Sequence, residues 1–179
     1  MAEYQVINKS LPQIDALEKV TGKLQFISDI RLPGMLWGQV VRSPFAHARI
    51  KNINCTKALQ LPGVKAVITA VDTPQIPCGP FIPDWEILAS QKVTFIGQEV
   101  AAVAAVNPQI AQEAARLIEI EYEELTPVFD IEKATLPGSP LVHAQKPQNI
   151  ANMFEVEQGN VDEAFKDCDY IKEEIFYTS

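Results

Sequence analysis

Two histidines are the first side chains to consider for chemistry, because an imidazole can serve as a base or a metal ligand near neutral pH. His47 stands between Ala46 and Ala48 in the stretch RSPFAHARI, and His143 lies far downstream. Neither has an acidic pair beside it at the spacing of a metal site. A lone histidine in such surroundings is more often a hydrogen-bonded structural residue than a catalyst. The sequence therefore predicts no metal site and no catalytic histidine.

Two further stretches carry polar side chains that could act together. The run IEIEYEEL, 118–125, would place a row of carboxylates side by side, as acid and base chemistry requires. Its strict alternation instead favours a solvated face of an edge strand. Gly97, Gln98 and Glu99 interrupt an apolar segment, where they predict either a bulge or turn, or a small notch lined by backbone that faces a neighbouring domain.

Motifs that would identify an independent enzyme do not occur in the sequence. It contains no phosphate-binding loop, no GxGxxG turn, no HExxH helix and no GxSxG elbow. A small hydrolase that uses His47 or His143 is disfavoured, because no nucleophile motif accompanies either residue. We expect no catalytic residue within this chain.

Composition narrows the class of protein. The 179 residues carry a formal net charge of -8, with 23 acidic and 15 basic side chains, which works against nucleic acid and anionic membranes as partners. No stretch approaches the roughly 20 apolar residues that span a bilayer, and the start MAEYQVINKS lacks the pattern of a secretion signal. Three widely spaced cysteines suggest reduced thiols. We therefore expect a cytoplasmic protein.

The elements that position these residues can be predicted from alternation, apolar runs and Pro or Gly punctuation. Residues 1–18 are polar and irregular, and predict an N-terminal arm. The main domain is predicted over 19–130. Its first half contains strands over 24–27, 35–41, 48–54 and 64–70, a turn at 32–34 and a short helix over 55–61.

The second half of this domain contains the clearest local signal, the stretch NPQIAQEAARLIEI. It predicts a helix with Asn107 as N-cap and Pro108 at its first position. Its buried stripe would consist of Ile110, Ala111, Ala114, Leu117 and Ile118. The preceding KVTFIGQEVAAVAAV predicts two strand halves around Gly97, and the following IEYEEL predicts another strand. The proline-rich DTPQIPCGPFIPDW predicts an irregular loop.

The remaining residues, 131–179, predict a linker and the start of a following domain. A short helix is predicted at 161–165, and the alternation of Tyr170, Ile171, Ile175 and Tyr177 predicts a strand beginning at the end of the sequence. A strand there would have no partner after it. We therefore expect that the chain continues, or that another subunit completes it.

Four separated motifs in fixed order identify a resemblance to a known family. They are IDALEKVTGKLQFISDIRLPGMLWGQVVRSPFAHARI, LPGVKAVITAVDTP, KVTFIGQEVAAVAAVNPQIAQEAARLIEIEYEELTPVFD and, more weakly, GNVDEAF. Together they resemble the α/β hammerhead domain of the molybdenum-binding large subunit of the xanthine dehydrogenase and aldehyde oxidase family. The fold class implied is α+β, with mixed small sheets, one well-capped helix and an extended C-terminal segment leading into a molybdopterin-binding domain.

The resemblance implies an oxidoreductase that hydroxylates an aldehyde or an N-heterocycle with water as the oxygen source. In that family a molybdenum–molybdopterin cofactor does the chemistry, and electrons leave through [2Fe-2S] clusters, usually to FAD. The partners implied are the remainder of the subunit, iron–sulfur and FAD subunits or domains, and a small-molecule substrate. The family's catalytic glutamate, its glutamine near the metal and its pterin loops have no counterpart here, so this segment would be structural and inactive alone.

The resemblance also gives meanings to particular positions. Ile82 and Trp85 lie in a loop that varies within the family and lies near its substrate funnel, so they would either line the funnel or only cover the core. Gly97, Gln98 and Glu99, if they form the notch described above, would be candidates for the contact with the neighbouring domain. The motif RSPFAHARI is structural in the family, so His47, with Arg42 and Arg49, would fix a strand-to-strand turn, its ring donating to a carbonyl and accepting from an N–H. Gln13 and Phe26 depart from the family's usual arginine and tyrosine, which would alter contacts to the next domain.

Two hypotheses of different classes follow. The chain is either the N-terminal part of a molybdenum hydroxylase large subunit, or a stand-alone interaction module that keeps the hammerhead fold without the chemistry. The first predicts an exposed apolar patch where the rest of the subunit would pack, and the second predicts a polar, self-sufficient surface.

Overall fold

The computed structural model describes residue 7 and residues 9–74, 76–79 and 83–178. In chain order, its helices and strands are α1 Ala16–Val20, β1 Trp37–Arg42, β2 Ala48–Asn54, α2 Thr56–Gln60, β3 Val64–Thr69, β4 Lys92–Val93, β5 Glu99–Ala105, α3 Pro108–Leu117, β6 Glu119–Glu124, α4 Ile131–Ala134 and α5 Val161–Lys166. Short 3-10 turns lie at Ile27–Asp29, Ala70–Asp72 and Pro147–Asn149. The α+β class expected from the sequence is confirmed.

The strands form two small antiparallel sheets that share no strand. The first sheet has the order β1-β5-β3, and the second has the order β4-β2-β6. In the first sheet, Val103 of β5 lies between Gln39 and Val67 of the flanking strands. The chain passes from the second sheet to the first at the turn that contains Gly97, because β4 pairs with β2 while β5 pairs with β1 and β3.

Two apolar clusters hold the sheets and helices together. One lies between α3 and the first sheet, where Ala101, Val103 and Ala114 are fully or almost fully buried. The other lies between the sheets, where Ala48, Ala89, Val93 and Val100 have no exposed surface. The small side chains of Ala111 and Ala114 let α3 lie close against β1 and β5. Burial of these apolar faces is the main stabilising term of the fold.

Helix α3 begins as the sequence predicts. The side chain of Asn107 accepts a hydrogen bond from the Ile110 N–H at 2.8 Å, and Pro108 occupies the first turn. The cap satisfies one of the backbone donors that a helix leaves unpaired at its start. The buried stripe is also confirmed, since Ala111, Ala114 and Ile118 are buried and Ile110 and Leu117 are half-buried.

Asn107→Ala is expected to lower the free energy of unfolding by about 1 kcal/mol, because the Ile110 N–H loses its acceptor. Native-state hydrogen exchange of the β5 amides would measure this change. Asn160→Ala is the matched control. It removes the equivalent cap of α5, which buries no residue, so exchange in β5 should not change. Equal effects of the two substitutions on β5 would contradict the prediction.

Most predicted elements of the main domain are confirmed within a residue or two, and three predictions are wrong. The expected strand over 24–27 is irregular chain followed by the 3-10 turn Ile27–Asp29, because Phe26 and Ile27 face solvent and the backbone pairs with no strand in the described structure. The arm was expected to be irregular, yet its last residues form the start of α1. The proline-rich loop is irregular over its described residues, 73–74, 76–79 and 83–85, apart from one bridge between Cys78 and Trp85.

The C-terminal residues contradict the third prediction. Within 168–178 the structure has no strand, and every residue from 151 to 178 is exposed. Phe154, Tyr170, Phe176 and Tyr177 are each more than three-quarters exposed. A strand needs a neighbouring strand to satisfy its backbone, and no described part of the chain supplies one. The short helix predicted at 161–165 is confirmed as α5.

Two general features concern the described residues only. No helix there is both long enough and apolar enough to cross a membrane. The three cysteines are free, with Cys55 half-buried and Cys78 and Cys168 exposed. Burial, together with the nearby carboxylate of Asp72, raises the pKa of the Cys55 thiol, which makes this thiol a poor nucleophile at neutral pH.

Candidate functional site

The turn between β4 and β5 is fixed by its own side chains. Gly97 has a φ of 89°, in the left-handed region that favours glycine. The side-chain oxygen of Gln98 accepts hydrogen bonds from the Thr94 N–H at 2.7 Å and from the Thr94 hydroxyl at 3.2 Å. The prediction of a turn at Gly97 is therefore confirmed. Gln98 holds that turn closed from within.

The end of β1 clamps the same turn from outside. The guanidinium of Arg42 donates to the Gly97 carbonyl at 2.8 Å and to the Glu99 carboxylate at 2.5 Å. The backbone of Ser43 adds two hydrogen bonds, to Gln98 and Gly97. Arg42 and Glu99 are both partly exposed, so their ion pair contributes only modestly to stability. Its main effect is to orient the Arg42 guanidinium toward the turn.

A cavity of about 380 Å³ lies beside this turn, and Trp85, Glu86, Phe95, Gln98 and Glu99 line it. Three of the residues singled out in the sequence, Trp85, Gln98 and Glu99, are thus brought together. Gly97 contributes its carbonyl to Arg42 rather than to the cavity wall, and Ile82 lies outside the described residues. Phe95 and Glu86 were not singled out from the sequence, where nothing marks them.

Trp85 is held at the rim of this cavity by its backbone. Its N–H and carbonyl both pair with Cys78, at 2.9 and 2.7 Å, which closes the base of the proline-rich loop. The indole itself is 65% exposed, and Phe95 and Ile96 beside the turn are 49% and 66% exposed. Aromatic and aliphatic side chains held in the open by ordered backbone are typical of a contact surface for another part of a protein or a ligand.

His47 is buried in the fold, and its side-chain hydrogen-bond partner among the described residues is a backbone carbonyl. Its Nδ1 lies 2.8 Å from the Thr126 carbonyl, so Nδ1 carries the proton and donates it. The Leu125 N–H donates to the His47 carbonyl at 2.9 Å. The predicted hydrogen bond from His47 to a backbone carbonyl is therefore confirmed. The predicted N–H donor to its other ring nitrogen is not found, because Nε2 is buried without a hydrogen bond among the described residues.

His47→Ala is expected to lower the free energy of unfolding by about 2 kcal/mol, because it leaves the Thr126 carbonyl unpaired and opens space in the wall of a neighbouring cavity. Hydrogen exchange of the β2 amides would measure this change. Unaltered exchange would show that the fold does not depend on the hydrogen bond from His47 to Thr126.

His143 does not join His47 in one site. Its Nε2 lies 3.8 Å from the Asp84 carboxylate, beside a separate cavity that Lys92 and Gln98 also line. Among the residues that the structure describes, no three His, Cys, Asp or Glu side chains come close enough together to hold a metal ion.

The acidic run forms a solvated face, as its alternation predicts. Glu119, Glu121 and Glu124 of β6 are exposed, while Ile120 and Tyr122 point into the core, and β6 is an edge strand. Cations of β2 and α2 face the carboxylates. Lys51 and Arg49 lie 2.6 and 2.7 Å from Glu123, and Lys57 pairs with Glu119. The hydrogen bond from Lys51 is the largest cause that lowers the pKa of Glu123.

The molybdenum cofactor that the resemblance implies does not fit these residues. An anionic pterin needs hydrogen-bond donors and cations around it. The cavity beside Gly97 instead offers the carboxylates of Glu86 and Glu99, and the guanidinium of Arg42 is occupied by Glu99 and the Gly97 carbonyl. We therefore derive no step of a reaction through the cofactor in this part of the chain.

Comparison with curated proteins finds relatives along almost the whole chain. The nicotinate dehydrogenase large molybdopterin subunit of Eubacterium barkeri is 40% identical over 98% of this chain and 41% of its own length. The nicotine 6-hydroxylase large subunit of Paenarthrobacter nicotinovorans is 30% identical over 96% of this chain and 22% of its own length. The chain thus spans less than half of the length of either relative.

Solved structures share the fold. The reconstituted CO dehydrogenase from Oligotropha carboxidovorans superposes with a TM-score of 0.69 at 40% identity, covering 73% of this chain and 17% of that one. Quinoline 2-oxidoreductase from Pseudomonas putida 86 superposes with a TM-score of 0.71 at 35% identity, covering 80% and 19%.

The family model described as aldehyde oxidase and xanthine dehydrogenase, a/b hammerhead domain, matches residues 21–126. This range contains both sheets, helix α3 and the clamped turn at Gly97. On this match, and on the relatives along nearly its whole length, the chain belongs to the aldehyde oxidase and xanthine dehydrogenase family of molybdenum hydroxylase large subunits.

Proposed function

We propose that this chain is the N-terminal, non-catalytic part of a molybdenum hydroxylase large subunit. The complete protein would hydroxylate an aldehyde or an N-heterocycle, taking the oxygen from water and passing two electrons and two protons onward. One observation carries the proposal: the chain aligns along 98% of its length with a large molybdopterin subunit while spanning only 41% of it. The domain division proposed is an arm over 1–18, the hammerhead domain over 19–130, and a connecting segment over 131–179.

Exposed apolar side chains support the proposal that this chain is one part of a larger subunit. The connecting segment exposes Met153, Phe154 and Ile175 by more than two-thirds, which a self-sufficient module would avoid. The remainder of the subunit would cover these side chains and supply the molybdenum–molybdopterin cofactor. Iron–sulfur and FAD subunits or domains would accept the electrons. Free cysteines suit a reducing compartment, and we place the enzyme in the cytoplasm.

The experiment is to capture the native protein from the source cell with an antibody against residues 19–130, then measure polypeptide mass and molybdenum content. The proposal expects a polypeptide at least twice as large as the 19.8 kDa of these residues, with molybdenum bound. A polypeptide of the size of these residues without molybdenum would overturn it in favour of a stand-alone interaction module. A small polypeptide that retains molybdenum through other chains would show a split subunit.

The cavity beside Gly97 has two proposed roles, as a wall of the substrate funnel or as a contact with the neighbouring domain. Trp85→Ala distinguishes them, because it removes the exposed indole while the backbone pairs with Cys78 remain. A funnel role predicts a KM raised about tenfold at constant molybdenum content, the loss of roughly 1.4 kcal/mol of substrate contact. A domain contact predicts weaker cofactor retention at constant KM. Gln112→Ala, on the exposed face of α3, serves as the control.

A further inference from the structure

The two faces of the first sheet differ in what covers them. Helix α3 and helix α2 pack against one face, where Val67, Ala101 and Val103 join the core. Among the described residues, the opposite face is covered only at its Val100 end, where Val100 packs between the sheets. The rest of it, called the open face below, consists of Gly38, Val40, Ala66, Ile68, Ala102 and Ala104.

The register gives the open face the shape of a trough along β5. One row across the three strands is Gly38, Ala104 and Ala66, the smallest side chains available. The adjacent row is Val40, Ala102 and Ile68, which puts an alanine between two larger residues. Val40 and Ile68 are 37% and 40% exposed. Alanines therefore form the floor of the trough, and the row of Gly38, Ala104 and Ala66 is flat. None of the six residues carries a charge.

Gly38, within this row of small residues, gives a closer indication that another element approaches this face. Glycine inside a strand weakens the strand, so it is typical of places where a backbone must come close or where φ is positive. Gly38 does not have a positive φ. A Cβ atom added to it would meet nothing closer than the Val103 carbonyl, at 4.0 Å. Nothing in the described chain requires glycine at this position, which points to an approach from outside.

The shape of the open face suits a helix as the occupant. Strand β5 is hydrogen-bonded on both sides, so an added strand could pair only at the outer edges of β1 and β3, where it would extend the sheet without covering its open face. A helix needs no backbone partner, and its large apolar side chains would fill the space above the alanine floor. The resulting arrangement of helix, sheet and helix is one of the common layered architectures. More than half of the length of the relatives lies outside this chain and could supply such a helix.

We propose that the open face of the first sheet binds an apolar helix from the remainder of the large subunit. This inference rests on the proposed function, and it names the surface through which the hammerhead domain and the remainder meet. The helix lies along β5 with large aliphatic or aromatic side chains above Ala102 and Ala104, and its backbone passes closest to the chain at Gly38.

The test measures thiol accessibility at two adjacent positions of β1 in the complete subunit. Val40→Cys places a thiol on the open face, and Gln39→Cys places one on the α3 side of the same edge strand, at a residue that α3 leaves exposed. Each site is alkylated with a maleimide, and its rate is read by mass spectrometry of its own peptide, relative to the urea-unfolded chain. The thiol at position 40 is expected to react at least tenfold more slowly than the thiol at position 39.

A photoactivated crosslinker attached through Val40→Cys then identifies the occupant. Crosslinks to residues of the remainder spaced three or four apart would support a docked helix. Equal reactivity at positions 39 and 40, whether both are fast or both are protected, would overturn the proposal. So would protection that arises only when other subunits are added, or crosslinks to 150–178. The polypeptide mass and molybdenum content test the proposed function separately, so an open thiol on a large molybdenum-containing chain would reject only the docking surface.

Discussion

Gly63→Ala is expected to lower the free energy of unfolding of the hammerhead domain by about 2–4 kcal/mol, from backbone strain plus overpacking. Gly63 has a φ of 95°, where a Cβ atom is strained in any surroundings. A Cβ atom built there would lie 2.7 Å from Ile110 Cδ1 and 3.0 Å from Val106 Cγ2. Gly63 lies directly before β3 and packs close to Ile110 of α3. Its carbonyl also accepts a hydrogen bond from the Val106 N–H at 3.0 Å. Hydrogen exchange of β5 amides would measure the loss.

Gly97→Ala is the matched control for this substitution. Gly97 has a similar φ of 89°, yet an added Cβ atom there would meet nothing within 4 Å. It should cost only the conformational strain, about 1–2 kcal/mol. The difference between the two variants isolates the contact with α3. Equal losses would mean that Ile110 and Val106 move aside freely, and that the junction of β3 and α3 is looser than the structure indicates.

Helices and strands that carry a local sequence signal, such as a helix cap or an apolar stripe, could be predicted from the sequence. The cap at Asn107 and the stripe of α3 act within a few residues of each other, so they can be recognised without knowing the rest of the fold. The strand predicted over 24–27 and the strand predicted near 170–177 had alternation as well. Alternation alone does not make a strand, because the partner that completes its hydrogen bonds lies elsewhere in the chain or in another chain.

Pairing between distant residues explains why the candidate site could be predicted only in part. Trp85, Gln98 and Glu99 were recognised separately, but their common cavity depends on the backbone pairs of Trp85 with Cys78 and on the clamp from Arg42. The two strand halves around Gly97 join different sheets, which no local pattern records. For the same reason His47 was correctly assigned to packing, while its partner at Thr126 and its unpaired Nε2 were not foreseen.

The proposed function and the open face have a common physical explanation. A domain that positions other parts of a protein needs surfaces of fixed geometry, and the clamped turn at Gly97 and the apolar open face of the first sheet are two such surfaces. Exposed apolar side chains are costly to maintain unless another part of the protein covers them. Under the proposed function, the hammerhead domain is therefore one half of an interface.

Ala114→Asp is expected to remove most of the stability of the domain. Ala114 has no exposed surface and lies in the cluster between α3 and the first sheet. A carboxylate there would be buried without a partner, which costs about 3–5 kcal/mol, a large share of the 5–15 kcal/mol that stabilises a typical domain. Protection of the β5 amides against hydrogen exchange should fall by about two to four orders of magnitude, because each 1.4 kcal/mol is a factor of ten in the opening equilibrium.

Two controls separate charge from helix propensity and from volume in this prediction. Gln112→Asp introduces the same residue into the exposed face of α3 and should change protection by less than a factor of about three, as surface substitutions do. Ala114→Asn has the shape of aspartate without its charge and should fall between the two, because a buried amide is less costly than a buried carboxylate. If Ala114→Asp were no worse than Gln112→Asp, α3 would not be packed on the first sheet. The first sheet could not then lie between two helices, because α3, the layer on the face opposite the open face, would itself be mobile.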